Sequence, residues 1–232
     1  MGENMLNVPK HLALIPDGNR RWALKHNLQP WEGHKFGAEK IEALLNWCLE
    51  LKIPQVSVYV LSTENLNRPK IEVREVFRLL KQHLLRWEKR DFLSKYDIRV
   101  RFFGDFYKIP QPLIRVMSRL MEKTSTYQKS VLNLLVAYSG RYEILEMVKK
   151  VVGKLGSRIE ITPKLIEENL LISTPVDLVI RTGGEHRLSN LLLWQTAYAE
   201  IYVTETLLPD FTRNDFLRAI EWYSDRRRRF GK

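Results

Sequence analysis

Residues 177–200 read DLVIRTGGEHRLSNLLLWQTAYAE. A short apolar run, 177–180, ends on Arg181; a Gly-Gly turn follows, then Arg187 and Ser189, and Glu200 closes a later apolar stretch. The run predicts a buried strand. The layout puts Arg181, Arg187 and Ser189 around a loop at its carboxyl end, the edge where open α/β sheets bind ligands. Two guanidiniums and a hydroxyl suit a diphosphate, because each guanidinium offers a planar fork of donors to phosphate oxygens. A solvated basic loop has the same composition, so the segment takes its meaning from a counterpart near the start of the chain.

That counterpart is 16–22, PDGNRRW, which follows the apolar run 11–15, HLALI, and precedes a stretch that can be helical. Strand, Asp-Gly-Asn, helix is a layout for an anion site. Gly18 lets backbone approach a ligand, and the free N–H groups of a first helical turn point at it. Arg20 and Arg21 add full charges. Asp17 is the odd member, since a carboxylate repels a phosphate. Either it caps the helix, or a divalent cation bridges the two, as Mg²⁺ does between carboxylates and substrate phosphates.

The rest of the chain alternates. Strand-like runs fall at 11–15, 55–60, 98–103, 131–137, 177–180 and 201–203. Helical patterns fall at 37–51, 72–87, 113–124, 142–152, 163–170 and 211–228. The pattern predicts an α/β fold with a mostly parallel six-stranded sheet flanked by helices. No Gly/Ser-rich linker interrupts it, so 1–232 reads as one domain.

Composition narrows the classes. With one cysteine, Cys48, there is no disulfide framework, which fits a reducing cytoplasm. No signal pattern opens the sequence, and no apolar run approaches the roughly 20 residues of a membrane span. The 38 Lys+Arg against 27 Asp+Glu leave +11, which suits anionic partners: diphosphates, an acidic membrane surface or nucleic acid. The basic residues are spread along the chain without a nucleic-acid-binding motif, which argues against that partner. No Walker-type loop, GxGxxG or Asp-Asp pair occurs.

Six ordered blocks now carry a resemblance: HLALIPDGNRRWA, GHKFGAEK, LSTENLNRP, LNLLVAYSGR, DLVIRTGGEHRLSNLLLWQTAYAE and the terminal RRFG. Along nearly its whole length the chain resembles the cis-prenyltransferases of the undecaprenyl diphosphate synthase family. The resemblance implies Mg²⁺-dependent condensation of isopentenyl diphosphate onto an allylic diphosphate with cis stereochemistry. It also implies a homodimer that releases product to a membrane surface. Asp17 and Asn65 take the catalytic positions. Gly18, Asn19, Arg20, Arg21, Trp22 and His34 fall to the allylic substrate. Ser62, Thr63 and Glu64 line the loop of Asn65, and Arg68, Arg181, Arg187, Leu188 and Ser189 fall to isopentenyl diphosphate. His186 and Glu200 join Asp17 as metal positions. Asn65 is a poor base, so it is expected to orient water or a diphosphate oxygen that takes the proton. For Glu72, a first-turn acid complementing the helix dipole is an adequate account.

Three positions depart from the commoner pattern: Pro30 where arginine is frequent, Arg20 where glycine is frequent, and Leu66 where an aromatic is frequent. Arg20 can replace the charge absent at Pro30. DGNRRW is more like archaeal and eukaryotic members, so the primer can be geranylgeranyl or farnesyl diphosphate. Tunnel residues are sought among 44–49 and 77–85, where an apolar stripe is also what plain core looks like. The tail, Arg226 to Arg229 with Phe230 and Gly231, resembles an element that reaches the neighbouring subunit's site; a solvated or lipid-facing basic surface is the other reading. A non-catalytic partner subunit of a heteromeric prenyltransferase is the nearest rival function. Such relatives lose catalytic residues that this chain keeps.

Overall fold

The computed structural model describes residues 6–154 and 160–226; the tail residues 227–231 considered above lie outside them. Six strands form one sheet: β1 (His11–Ile15), β2 (Gln55–Ser62), β3 (Ile98–Phe103), β4 (Ser130–Tyr138), β5 (Leu178–Arg181) and β6 (Glu200–Val203). Their order is β3-β4-β2-β1-β5-β6, and every pairing is parallel. Parallel strands need crossovers, and helices supply most of them. These are α1 (Asn19–Lys25), α2 (Gly33–Glu50), α3 (Lys70–Lys89), α4 (Phe92–Lys95), α5 (Gln111–Lys123), α6 (Gly140–Lys154), α7 (Pro163–Asn169) and α8 (Arg213–Ser224).

Both faces of the sheet are covered, and alternation along each strand decides which face a residue serves. Leu12, Leu14, Val56 and Val58 pack into the larger core with side chains of α2, α3, α5 and α8; Ala13, Ile15, Tyr59 and Val179 join a second cluster on the other face. β1 is buried at all five positions, which is why it reads as a continuous apolar run.

The connections from β1 and β5 leave in opposite directions, toward β2 and β6. Their shared boundary is therefore the topological switch point of the sheet, with Ile15 opposite Arg181 at its carboxyl end.

Two boundaries differ from the sequence reading for identifiable reasons. The last helix begins at Arg213, not at 211, because Thr212 and Asp215 form a reciprocal capping box and Phe211 is buried before it. Among the described residues that helix ends at Ser224. β5 extends one residue further than expected, so Arg181 belongs to the strand and is buried.

Candidate active site

Asp17 and Arg181 meet across the switch point. Arg181 donates through Nη2 to Asp17 Oδ2 at 2.7 Å and through Nη1 to Ser189 Oγ at 2.8 Å and to the Arg187 carbonyl. Its side chain is 4 % exposed, and its Nε has no partner. The fork expected to face a diphosphate is thus engaged by protein acceptors, and what it does in this arrangement is fix Asp17 and Ser189 relative to each other.

Asp17 is held on other sides too. Its N–H donates to Thr182 Oγ1 at 2.9 Å, the Thr182 hydroxyl donates back to its carbonyl at 2.6 Å, and Oδ1 accepts from the Gly18 N–H at 2.6 Å. It does not cap α1, whose N-cap is Gly18 without a side-chain bond. Gly18 sits at φ 109°, and an added Cβ would come within 2.9 Å of Leu207, so both conformation and space demand glycine. Asp17 keeps 32 % side-chain exposure.

Arg21, 45 % exposed, lies 3.5 Å from Asp17 Oδ1 and 3.8 Å from Glu185 Oε1; Arg187 reaches the other Glu185 oxygen at 2.5 Å. Glu185 therefore sits between two arginines that the sequence reading assigned to different substrates.

A second carboxylate organises the opposite wall. Glu72, buried in the first turn of α3, accepts from His34 Nε2 at 3.1 Å and Arg68 Nη1 at 2.9 Å, and lies 3.5 Å from Arg20 Nε. Burial raises its carboxyl, but the His34 hydrogen bond and the Arg68 and Arg20 charges outweigh it and hold the group below the usual range. The other His34 nitrogen faces Asn19 Nδ2 at 3.4 Å. Gly37 lets α2 approach there: a Cβ would meet Asn19 Oδ1 at 2.1 Å.

Between these walls, the 3₁₀ turn Glu64–Asn67 after β2 presents Asn65. Ser62 Oγ accepts from the Asn65 N–H at 3.1 Å, and Asn65 Oδ1 lies 3.4 Å from the Ser62 N–H. Glu64 points the other way, to Asn190 Nδ2 at 3.1 Å. Burial raises its carboxyl, yet bonds from its own backbone, Asn190, Ser62 and Thr63 leave it lowered. Thr63 is tied by its N–H to the Tyr138 carbonyl.

One cavity of about 540 Å³ connects these groups. Its polar end is lined by Asp17, Gly18, Asn19, Arg20, Arg21, His34, Ser62, Asn65, Arg68, Arg181, Glu185, Arg187 and Ser189. Its apolar end runs between α2, α3 and the sheet, past Ile41, Val58, Val60, Val76, Leu79, Leu80, Leu84 and Leu134 to His83 and Trp87. Of the two candidate segments, 77–85 supplies part of this wall, whereas Leu44, Leu45 and Cys48 belong to the core.

Several expected residues stand elsewhere. Trp22 stacks on His26, meets Phe36 at a tilt and donates to Asp210, outside the cavity lining. Leu188 packs under the loop in the second core cluster. His186 is exposed on that loop. Glu200 begins β6 opposite Leu178, at the amino end of the sheet and far from Asp17, 4.0 Å from Arg226. Among the described residues, no three His, Cys, Asp or Glu side chains are grouped to hold a metal. Pro30 and Leu66 do not line the cavity; Leu66 packs against the main core. Glu72 and Glu185 were missed as site residues. The only signal for them was the proximity of each acid to motif arginines.

A parallel sheet whose switch point gathers arginines, a hydroxyl and a partly exposed carboxylate, and opens into an apolar cavity, suits a ligand with an anionic head and an apolar chain. The family model described as putative undecaprenyl diphosphate synthase matches residues 15–231, and the chain belongs to that family, the cis-prenyltransferases. It is 46 % identical over 229 residues to an isoprenyl transferase of Aquifex pyrophilus, covering 98 % of this chain and 97 % of the relative. It is 40 % identical to a geranylgeranyl-diphosphate-specific tritrans,polycis-undecaprenyl-diphosphate synthase of Methanopyrus kandleri, covering 97 % and 85 %. The crystal structure of lavandulyl diphosphate synthase from Lavandula x intermedia in complex with dimethylallyl diphosphate superposes with a TM-score of 0.92 at 30 % identity, covering 99 % of this chain and 100 % of that one.

Proposed function

We propose that the enzyme adds isopentenyl diphosphate units, with cis double bonds, to a farnesyl or geranylgeranyl diphosphate primer and makes a long polyprenyl diphosphate. The observation that carries this reading is the single cavity in which a charged mouth continues into an apolar passage between α2 and α3. The allylic diphosphate lies at Arg20, Arg21, Asn19 and His34, with its hydrocarbon tail directed along Leu80 and Leu84. Isopentenyl diphosphate lies at Arg187, Ser189 and Arg68.

In each addition the allylic C–O bond breaks and its diphosphate leaves. The terminal alkene carbon of isopentenyl diphosphate bonds to the allylic carbon, and a proton departs from C2 of the isopentenyl unit, which becomes one end of the new C2–C3 double bond. Arg20 and Arg21 face the charge that gathers on the leaving group, which selectively favours the transition state. Buried Glu72 fixes the orientation of the His34 ring and sets the direction in which Arg68 presents its remaining donors. Asn65, held by Ser62, orients the water or diphosphate oxygen that accepts the proton.

The donor set fits Mg²⁺. Asp17 is a hard oxygen ligand, part-exposed to the cavity and held in place by Arg181, and phosphate oxygens with water would complete the shell. Bound there, the cation would neutralise charge on the leaving diphosphate. His186 and Glu200 of the same chain are not grouped with Asp17, so Asp17 alone is assigned to it here.

A homodimer, a cytoplasmic location and transient contact of product with a membrane belong to the same reading. Ile201 on the edge strand β6 is exposed, which supports association there. Among the described residues, no helix is long and apolar enough to cross a membrane. Incubating the purified protein with labelled isopentenyl diphosphate, Mg²⁺ and primers of ten, fifteen or twenty carbons tests the function. Chain extension from a fifteen- or twenty-carbon primer is expected. No incorporation from any primer would overturn it.

A further inference from the structure

The loop carrying Arg187 and Ser189 and the turn carrying Asn65 lie far apart in sequence, and one side chain joins them. Asn190 Nδ2 donates to Glu64 Oε1 at 3.1 Å and to Ser139 Oγ at 2.9 Å. Its Oδ1 accepts from the Arg141 N–H at 3.0 Å, and its carbonyl from the Gly140 N–H at 2.7 Å. The residue sits at φ 67°, a left-handed conformation that asparagine tolerates better than most. Neither Asn190 nor Glu64 lines the cavity, so neither is placed to touch substrate. Each is instead a sequence neighbour of a residue that does: Ser189 and Asn65.

We infer that Asn190 is a positioning residue that locks the Arg187–Ser189 loop to the Ser62–Asn65 turn through Glu64, keeping the isopentenyl diphosphate pocket in register with the group that orients the proton acceptor. The inference rests on the assignment of that pocket under Proposed function. The loop has other ties, from the Tyr59 hydroxyl on β2 to the Ser189 carbonyl at 3.2 Å and from Arg181 Nη1 to the Ser189 hydroxyl and the Arg187 carbonyl. None of these bonds reaches the Asn65 turn. Without Asn190 the loop would stay folded and lose its registration with Asn65.

The test compares Asn190→Gly, which keeps the left-handed backbone and removes the clamp, with Asn190→Asp, which keeps the shape and sets a carboxylate against Glu64. Steady-state kinetics with each substrate varied should show Asn190→Gly raising KM for isopentenyl diphosphate about tenfold while KM for the allylic primer stays within about twofold. Asn190→Asp should be worse. Adding Glu64→Gln to it should restore most of the loss, since the glutamine amide can donate to the new carboxylate. Equal changes in both KM values, a fall in Tm alone, or no rescue by the double exchange would overturn the clamp. Arg187→Ala is measured in parallel. If it raises KM for isopentenyl diphosphate and Asn190→Gly does not, the clamp fails and the pocket stands; if it leaves that KM unchanged, the pocket assignment itself fails and takes the clamp with it.

Discussion

Two carboxylates stand on opposite walls of one cavity and have been put to different uses. Asp17 is bonded to Arg181 and to a backbone N–H, yet keeps about a third of its side chain exposed. Glu72 is 1 % exposed, and a histidine and two arginines surround it. A carboxylate with an accessible lone pair can still take a cation or face a phosphate. One closed in by a histidine and two guanidiniums can only aim them. The difference separates the residue proposed to act on the leaving group from the residue that arranges its neighbours, although both are acids beside arginines.

That contrast can be broken. Asp17→Asn keeps an acceptor for Arg181 and removes the charge, so kcat should fall about 10²–10³-fold with the fold intact by circular dichroism. A variant as fast as the wild type would leave Asp17 no role in the reaction. Arg20→Gly tests the allylic wall. KM for the primer should rise about tenfold, the worth of one charge-assisted contact, and Arg20→Ala should match it if helix propensity is not the cause. An unchanged KM would show that Arg20 does not replace the charge absent at Pro30.

Glu72→Gln sharpens the contrast from the other side. Loss of a buried charge among cations should lower Tm by several degrees, the equivalent of roughly 1–3 kcal/mol. Because the folded-state carboxyl lies below its ordinary value of 4.5, its contribution is present above that pH and disappears as pH falls through the lower folded-state value. Thermal melts of wild type and variant should therefore differ near neutrality and converge in acid; curves separated equally at every pH would refute the arrangement. The smallest change is expected from Leu80→Trp, which narrows the apolar passage. It should shorten the product, read by chromatography, with little effect on the first addition. An unaltered product would place the growing chain elsewhere.

The same physics explains what the sequence disclosed. Strands 11–15 and 98–103 were legible to the residue because burial on both faces leaves an uninterrupted apolar run in the first, and burial on one face leaves a strict alternation, with Arg99 and Arg101 between apolar residues, in the second. The mouth of the cavity was legible because glycines, arginines and an out-of-place aspartate cluster in two loops. The engagement of Arg181 was not legible, because a guanidinium at a strand tip looks available until its partners are known, and here Asp17, Ser189 and Arg187 accept from its two terminal nitrogens. Glu72 read as a first-turn acid complementing the helix dipole and Glu185 drew no reading, since each has one arginine near in sequence, Arg68 and Arg187, and its other cationic neighbour, Arg20 or Arg21, comes from another element. The apolar passage was invisible for a more general reason: Leu80 and Leu84 have the spacing of any core-facing helix, and only the packing of α3 against its neighbours decides whether a void remains.

The central claim is that the allylic chain enters the passage between α2 and α3 while its diphosphate rests at Arg20 and Arg21, between Asp17 and the Glu72 wall. A crystal structure with Mg²⁺ and farnesyl thiolodiphosphate, which cannot easily release its leaving group, tests this most directly. The account predicts a diphosphate at Arg20 and Arg21, a cation against Asp17, and a tail beside Leu80 and Leu84. A diphosphate seated on Arg187 and Ser189 with the tail outside that passage would contradict it.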